Sequence, residues 1–401
     1  MSTRARPKAA TVASLAAAAY VFSTVMLGTT LPTPLYPQYQ SEFGFPGTVT
    51  TELFAIYAGG VILGLILFGR LSEMLGRRPV LLAGVILSIA SAVLFCIGTQ
   101  EWLLFVGRVL SGFAAGLLTS TGTVSVMENA PVGRERLGGA VATAANIGGL
   151  GLGIVLAGVA SQVALVAFPD GWSLRAPYVL HMVMLVLAGL ALLPMRDPIE
   201  RRRGAFRLQM PGVPAEARHI FGPASLGAVV GFATMGIYSS VVPNVLSQML
   251  SVTAPAALGL IIGAVFLASA AAQVALKSLS DRWLILCGSL SLACGMLLGI
   301  LTLRFESLPM LVLAAILNGA GQGLLFMTGL RVVTAATASE HRTEVTTSYF
   351  VVAYLSISIP SVAAGLLIPV LGLAATGLLS FSVLGLAALA GLFNLRRFSS
   401  S

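Results

Sequence analysis

The chain has 401 residues, 57% hydrophobic and only 9% charged, with a formal net charge of +9 and a mean hydropathy of +0.95. Soluble domains carry about 25% charged residues, so this composition excludes a protein that covers itself with polar surface in water. The positive charges fall in short clusters between apolar runs, not on one basic face interleaved with aromatic residues, which excludes a nucleic-acid binder and reads as membrane topology.

A bilayer core takes roughly 20 apolar residues per helix. In chain order, such segments lie at 11–32, 49–68, 79–98, 102–127, 138–160, 177–195, 221–243, 256–276, 284–303, 308–332, 346–368 and 372–394. The basic N-terminus followed by an Ala-rich run has the form of a secretory leader. That run is long and eleven further segments follow, so it is taken as the first helix. The expected fold is an all-α membrane protein of twelve helices.

With the N-terminus on the cytoplasmic side, all but three of the 23 basic residues fall on that side. Arg175 and Arg304 fall outside, and Arg108 lies within the fourth helix. The positive-inside rule predicts this bias, and a wrong helix count would scramble it. Both termini are therefore expected in the cytoplasm. The longest polar stretch, 196–220, carries the Arg202–Arg203 run and Pro198, Pro211 and Pro214. It divides the chain into an N-terminal six-helix bundle (1–195), a cytoplasmic linker (196–220) and a C-terminal bundle (221–401). The halves repeat at an offset near 207. Leu71-Ser72-Glu73 matches Leu279-Ser280-Asp281, Gly112 and Gly116 match Gly319 and Gly323, and Arg136 matches Arg342. Parallel repeats of this kind organise two-lobed alternating-access transporters.

After the second helix comes Gly69-Arg70-Leu71-Ser72-Glu73-Met74-Leu75-Gly76-Arg77-Arg78-Pro79. The two glycines permit a tight backbone, Pro79 suits a helix start, and Glu73 stands among three arginines. The loop resembles the signature G-x-L-[SA]-[DE]-x-x-G-R-[RK] of the major facilitator superfamily at every defining position. The resemblance implies a cytoplasmic-side conformational latch built from Gly69, Glu73, Gly76, Arg77 and Arg78. Its degenerate second copy, Lys277 to Arg282, supplies Asp281 and Arg282. The resemblance also implies a fold of two six-helix bundles around a central solute path.

Arg108, about 9 Å into the fourth helix at the usual rise, sits in Gly107-Arg108-Val109-Leu110-Ser111-Gly112, which resembles the family's R-x-x-x-G motif. An intramembrane arginine is costly and marks function by default; the bland alternative is a side chain reaching to the outer interface. Glu52, near the outer end of the second helix, is its expected partner and a candidate for proton exchange, or else marks a helix end facing water. His181 in the sixth helix either titrates near neutrality or is a neutral, hydrogen-bonded core residue. Glu128, at the inner end of the fourth helix, reads as interfacial.

In the first helix, Leu27-Gly28-Thr29-Thr30-Leu31-Pro32-Thr33-Pro34 resembles the L-G…P-x-P element of twelve-helix drug:proton antiporters, without the acidic residue that several proton-driven exporters carry there. In the fifth, the glycines of Asn146–Gly158 resemble the antiporter motif G-x-x-x-G-P-x-x-G-G, with Ile154 in place of the proline. Small residues four apart also pack any two membrane helices.

The polar residues at membrane depth are candidate cavity lining: Tyr20, Tyr57, Asn146, Tyr238, Gln273, Asn318, Gln322, Tyr349 and Tyr354. Few of the charges reach this region, which suits a neutral, amphipathic or weakly charged solute. No Walker, H-E-x-x-H or G-x-S-x-G element occurs, and Cys96, Cys287 and Cys294 lack metal-ligand spacing. No enzyme, cofactor or metal is expected. The reading is a monomeric secondary transporter of the cell membrane, exporting a small organic solute in exchange for protons. Two alternatives stay open: a symporter or facilitator taking up a sugar or other nutrient, and a non-transporting sensor or lipid-handling protein.

Overall fold

A computed structural model describes residues 12–69, 71–98, 100–131, 134–168, 171–195, 209–338 and 340–393. Arg70 and linker residues 196–208 lie outside the described residues, as do the side chains of Glu73 and Arg136. No strand occurs among the described residues. Among the described residues, twelve helical spans are long and apolar enough to cross a bilayer: α1 (Val12–Phe43), α2 (Gly47–Phe68), α3 (Arg77–Ile97), α4 (Glu101–Glu128), α5 (Leu137–Ala167), α6 (Trp172–Leu192), α7 (Ala215–Ser240), α8 (Pro255–Leu276), α9 (Asp281–Phe305), α10 (Leu308–Ala335), α11 (Arg342–Leu371) and α12 (Leu373–Leu392).

Two spans depart from the sequence expectation for a local reason. Pro32 and Pro34 remove N–H donors, so α1 breaks after Thr30, makes a tight turn over Thr33–Leu35 and resumes as a helix over Tyr36–Phe43. In α5, the stretch Ala144–Gly148 winds as a π-helix. Short connections force successive spans to run in opposite directions. One face of the molecule therefore gathers Arg77, Arg134, Lys277, Arg331 and Arg342; it is called the basic face, and the other the opposite face.

Packing repeats with a step of six helices. α1 packs on α4, α5 and α6, with α2 on α4 and α3 on α4 and α6; likewise α7 packs on α10, α11 and α12, with α8 on α10 and α9 on α10 and α12. The first and last six helices meet through α2 with α11 and α5 with α8, a pair of contacts that itself obeys the step. The repeated glycines do the same work in both sets. Cβ atoms on Gly112 and Gly116 would fall 2.9 Å from the Cα atoms of Gly60 and Gly64 on α2. Cβ atoms on Gly319 and Gly323 would fall 2.0 Å and 2.5 Å from the carbonyl oxygens of Val265 and Ser269 on α8. Glycine is required at these four positions for close backbone approach, which is how apolar helices associate without a hydrophobic driving force between them.

Candidate functional site

Where the two helix sets meet, a cavity of ≈ 30 Å³ is lined by Thr30, Phe54, Tyr57, Asn146, Ile147, Leu150, Phe232, Met235, Phe266, Phe326, Phe350, Tyr354 and Ile357. Both sets contribute. Phe54 and Tyr57 are three apart on α2 and share a face; Phe350, Tyr354 and Ile357 share one on α11. The π-helical turn of α5 carries Asn146 and Ile147 to the wall, and such turns occur frequently at functional sites. Phe326 lies with its ring centroid 5.1 Å from Phe232 and 5.8 Å from Phe350, and Phe232 lies 6.2 Å from Tyr354. The wall is aromatic and uncharged, and the space holds little more than a water or two.

Of the nine polar residues expected at the cavity, Tyr57, Asn146 and Tyr354 line it. The other six are occupied within one helix set. Tyr20 donates to the Met184 carbonyl, Asn318 donates to the Tyr238 hydroxyl, and Tyr349 donates to the Phe326 carbonyl behind the wall. Gln273 donates to Ser269, which donates to Gln322. Each of the six hydrogen-bonds inside its own set, although Asn318 Oδ1 and Gln322 Nε2 have no partner among the described residues, and depth alone does not reveal which face a polar side chain takes.

Arg108 is fully buried. Its Nη1 donates to the Thr29 carbonyl at 2.5 Å and its Nη2 to the Tyr36 hydroxyl at 2.7 Å. Thr29 is among the last residues of the first helix of α1, where carbonyls lack intrahelical partners and a cation is favoured. The guanidinium also sits 4.9 Å from the Tyr57 ring centroid, 5.7 Å from Phe54 and 5.8 Å from Tyr36, each a cation–π contact. Two of those rings line the cavity, so Arg108 stands directly behind its wall. The expected pairing with Glu52 does not form: Glu52 is exposed. It lies two residues, about 200° around the helix, from Phe54, which faces Arg108. His181 is buried with Nε2 3.0 Å from the Thr24 carbonyl oxygen. It packs where α1 has Gly28, at which a Cβ would fall 2.1 Å from its ring.

On the basic face, Arg77 donates to both oxygens of Glu128 (3.2 and 3.0 Å) and to the Ser72 hydroxyl at 2.5 Å. Gly76 holds φ +95°, a conformation that favours glycine. Arg78 is half-buried and Arg282 exposed. Asp281 pairs with Arg331. Both ion pairs join the start of one helix to the end of the next, α3 to α4 and α9 to α10, with polarity reversed. Each lies within one helix set and not across the two. Glu128 and Arg331 were not singled out from sequence as partners; a lone carboxylate closing α4 beside the Arg77 loop was the available signal.

Contacts between the sets close the opposite face. Gln40 donates to Asn244 at 3.3 Å, and a Cβ at Gly365 on α11 would fall 2.1 Å from Thr51 Oγ1 on α2. On the basic face, the segment preceding α7 straps the sets together. The Gln209 N–H donates to the Ile66 carbonyl of α2 at 2.8 Å, and Ser348 of α11 donates to the Gly212 carbonyl at 2.8 Å. Gly69 leaves room for this strap, since its Cβ would fall 3.0 Å from the Gln209 side chain.

The family model described as Major Facilitator Superfamily matches residues 16–252 and 224–400. The chain is 31% identical over 101 residues to a tetracycline resistance protein, class H, of Pasteurella multocida, covering 24% of each. It is 32% identical over 145 residues to the human solute carrier family 2, facilitated glucose transporter member 11, covering 35% of this chain and 28% of that one. These matches span about a quarter of the length of the curated relatives. A solved structure of a POT family transporter in complex with a thioalcohol-conjugated peptide has the same fold, at TM-score 0.76 and 13% identity over 96% of both chains.

Proposed function

The chain belongs to the Major Facilitator Superfamily, and from that premise we propose that it is a secondary transporter of the cell membrane that exports a small, lipophilic, uncharged or weakly cationic solute in exchange for protons. The observation that carries the reading is the central cavity: seven aromatic rings and no ionisable acid or base on its wall. Such a wall recognises apolar area and π-faces. The similarity to a tetracycline resistance protein supports export.

The two six-helix sets act as the moving bodies, rocking about the solute with the basic face toward the cytoplasm. The latch acts by bracing each set through Arg77–Glu128 and Asp281–Arg331, while the strap at Gln209–Gly212 ties the sets. Arg108 and His181 are the proposed coupling groups. Each contacts a carbonyl of α1, Thr29 and Thr24, so α1 would relay a protonation change at His181 to the Arg108 cage and the cavity. The protein works as a monomer.

The similarity to a facilitated glucose transporter favours uptake of a sugar as a second reading. The polar groups on the wall, Thr30, Tyr57, Asn146 and Tyr354, are few for a polyhydroxylated solute. Reconstitution into proteoliposomes separates the two. Export predicts that an imposed proton gradient drives a lipophilic aromatic dye against its own gradient while glucose stays unmoved. Glucose flux without dye flux would replace the proposal, and no flux of either would end it.

A further inference from the structure

We propose that a second cavity, on the opposite face and within the first six helices, is a binding site for a zwitterion carrying a primary ammonium and an anionic oxygen group. Its volume is ≈ 250 Å³, near the lower end of the roughly 300–1,000 Å³ typical of small-molecule sites. It lies between the second part of α1, the end of α3 and the start of α6, and shares no lining residue with the central cavity.

The charges define the ligand. Glu42 and Arg175 both line the cavity and both are exposed. Among the described residues, neither forms an ion pair or a side-chain hydrogen bond. A ligand of one sign would gain from one group and be repelled by the other; a molecule carrying both signs satisfies both. Beneath them the floor is built of packed aromatic rings. Tyr39 packs 5.7 Å from Phe43, and Phe95 stacks on Tyr178 at 5.0 Å with the planes 5° apart. The Tyr39 and Tyr178 hydroxyls are hydrogen-bonded at 3.1 Å. Such a floor is preformed, which lowers the ordering cost of binding.

The depth of the cavity admits two sources of this chemistry. Trp102 and Trp172, which begin α4 and α6 beside it, are 58% and 38% exposed, as expected of residues at headgroup level. The ammonium and phosphate of an ethanolamine lipid would meet the site from the membrane, and a free amino acid would meet it from the water.

Cys96 lines the cavity and is half-buried, so it reports occupancy. The test uses the full chain with Cys287→Ala and Cys294→Ala, in nanodiscs, labelled at Cys96 with a water-soluble maleimide. Nanodiscs of phosphatidylcholine, whose quaternary ammonium has no N–H, serve as the empty reference. Slower labelling in phosphatidylethanolamine nanodiscs identifies the lipid source. Slower labelling when phenylalanine is added to phosphatidylcholine nanodiscs identifies the free source. At ten times the dissociation constant the slowing is about tenfold, and Glu42→Gln and Arg175→Gln each abolish it. Equal rates under all conditions would overturn the site. So would protection that survives both substitutions, or equal protection by phenylacetate or phenethylamine, which carry one charge each.

Discussion

Gly158 of α5 and Gly259 of α8 meet backbone to backbone across the seam between the two helix sets. A Cβ on Gly158 would fall 2.3 Å from the Pro255 carbonyl oxygen and 2.9 Å from the Gly259 Cα, and one on Gly259 would fall 2.8 Å from the Ile154 carbonyl oxygen. Both helices present carbonyls here, and neither can retreat without opening the face.

Gly158→Val should therefore disfavour closure of the opposite face. Overpacking of this kind costs about 1–3 kcal/mol, which shifts an open–closed equilibrium by about 5–150-fold. In a cysteine-free background, a cysteine at Thr30 on the cavity wall should label faster with an impermeant maleimide applied from that face. Transport should fall while insertion is retained. Unchanged labelling would mean that the seam does not gate the cavity.

The cage around Arg108 predicts graded losses. Arg108→Gln removes both charge-assisted hydrogen bonds and the three cation–π contacts, at a cost of about 3 kcal/mol or more. Tyr36→Phe keeps the ring face but leaves one buried N–H of the guanidinium unpaired, and should cost about 1.5–3 kcal/mol. Thermal unfolding of the purified variants checks the order.

Arg77 and Glu128 should behave as a unit. Arg77→Ala and Glu128→Ala should each impair transport with the protein still inserted. A double-mutant cycle on stability should give a coupling of about 0.5–3 kcal/mol, toward the lower end because Glu128 retains contact with water. Additive effects would mean that the pair does no joint work.

The strap can be locked. An ideal Cβ on Gly69 lies 3.1 Å from the Gln209 Cβ, close to the about 3.5–4.5 Å of a disulfide. Gly69→Cys with Gln209→Cys, with the three native cysteines replaced, should lose transport on oxidation and regain it with reductant. Full transport by the oxidised protein would show that the strap need not release.

Glu52 is exposed and turned away from Arg108. Glu52→Gln is expected to leave the pH profile of transport unchanged; a flattened profile would return the coupling role to that carboxylate.

How far the sequence could be read depended on the kind of signal. Twelve apolar runs, the bias of basic residues and the offset that pairs Gly112 with Gly319 all report on chain-wide constraints, and these carry the fold. Gly149, Gly153 and Gly158 looked like one motif, yet they serve two seams: Gly149 and Gly153 face Ser23 and Leu27 of α1, whereas Gly158 faces α8. The site was harder. Polarity at membrane depth picks out Tyr57 and Tyr354 but also Gln322 and Tyr349, whose hydrogen bonds stay inside one bundle. The phenylalanines that supply five of the seven rings on the wall carry no polar mark and look like any lipid-facing residue. The partner of Arg108 was sought among carboxylates. A freed carbonyl at a proline-broken helix end and three ring faces supply the same stabilisation, and neither is visible before the chain is folded.

The most direct test of the account places one charge on the cavity wall. Asn146 is half-buried on the π-helical turn of α5, so Asn146→Asp should fold while adding a negative charge where the wall has none. In proteoliposomes, the ratio of cationic to neutral lipophilic dye transported should rise about tenfold or more, the value of one favourable charge contact of about 1.4 kcal/mol. An unchanged ratio, with both dyes still moving at the native rate, would mean that the solute does not pass through this cavity.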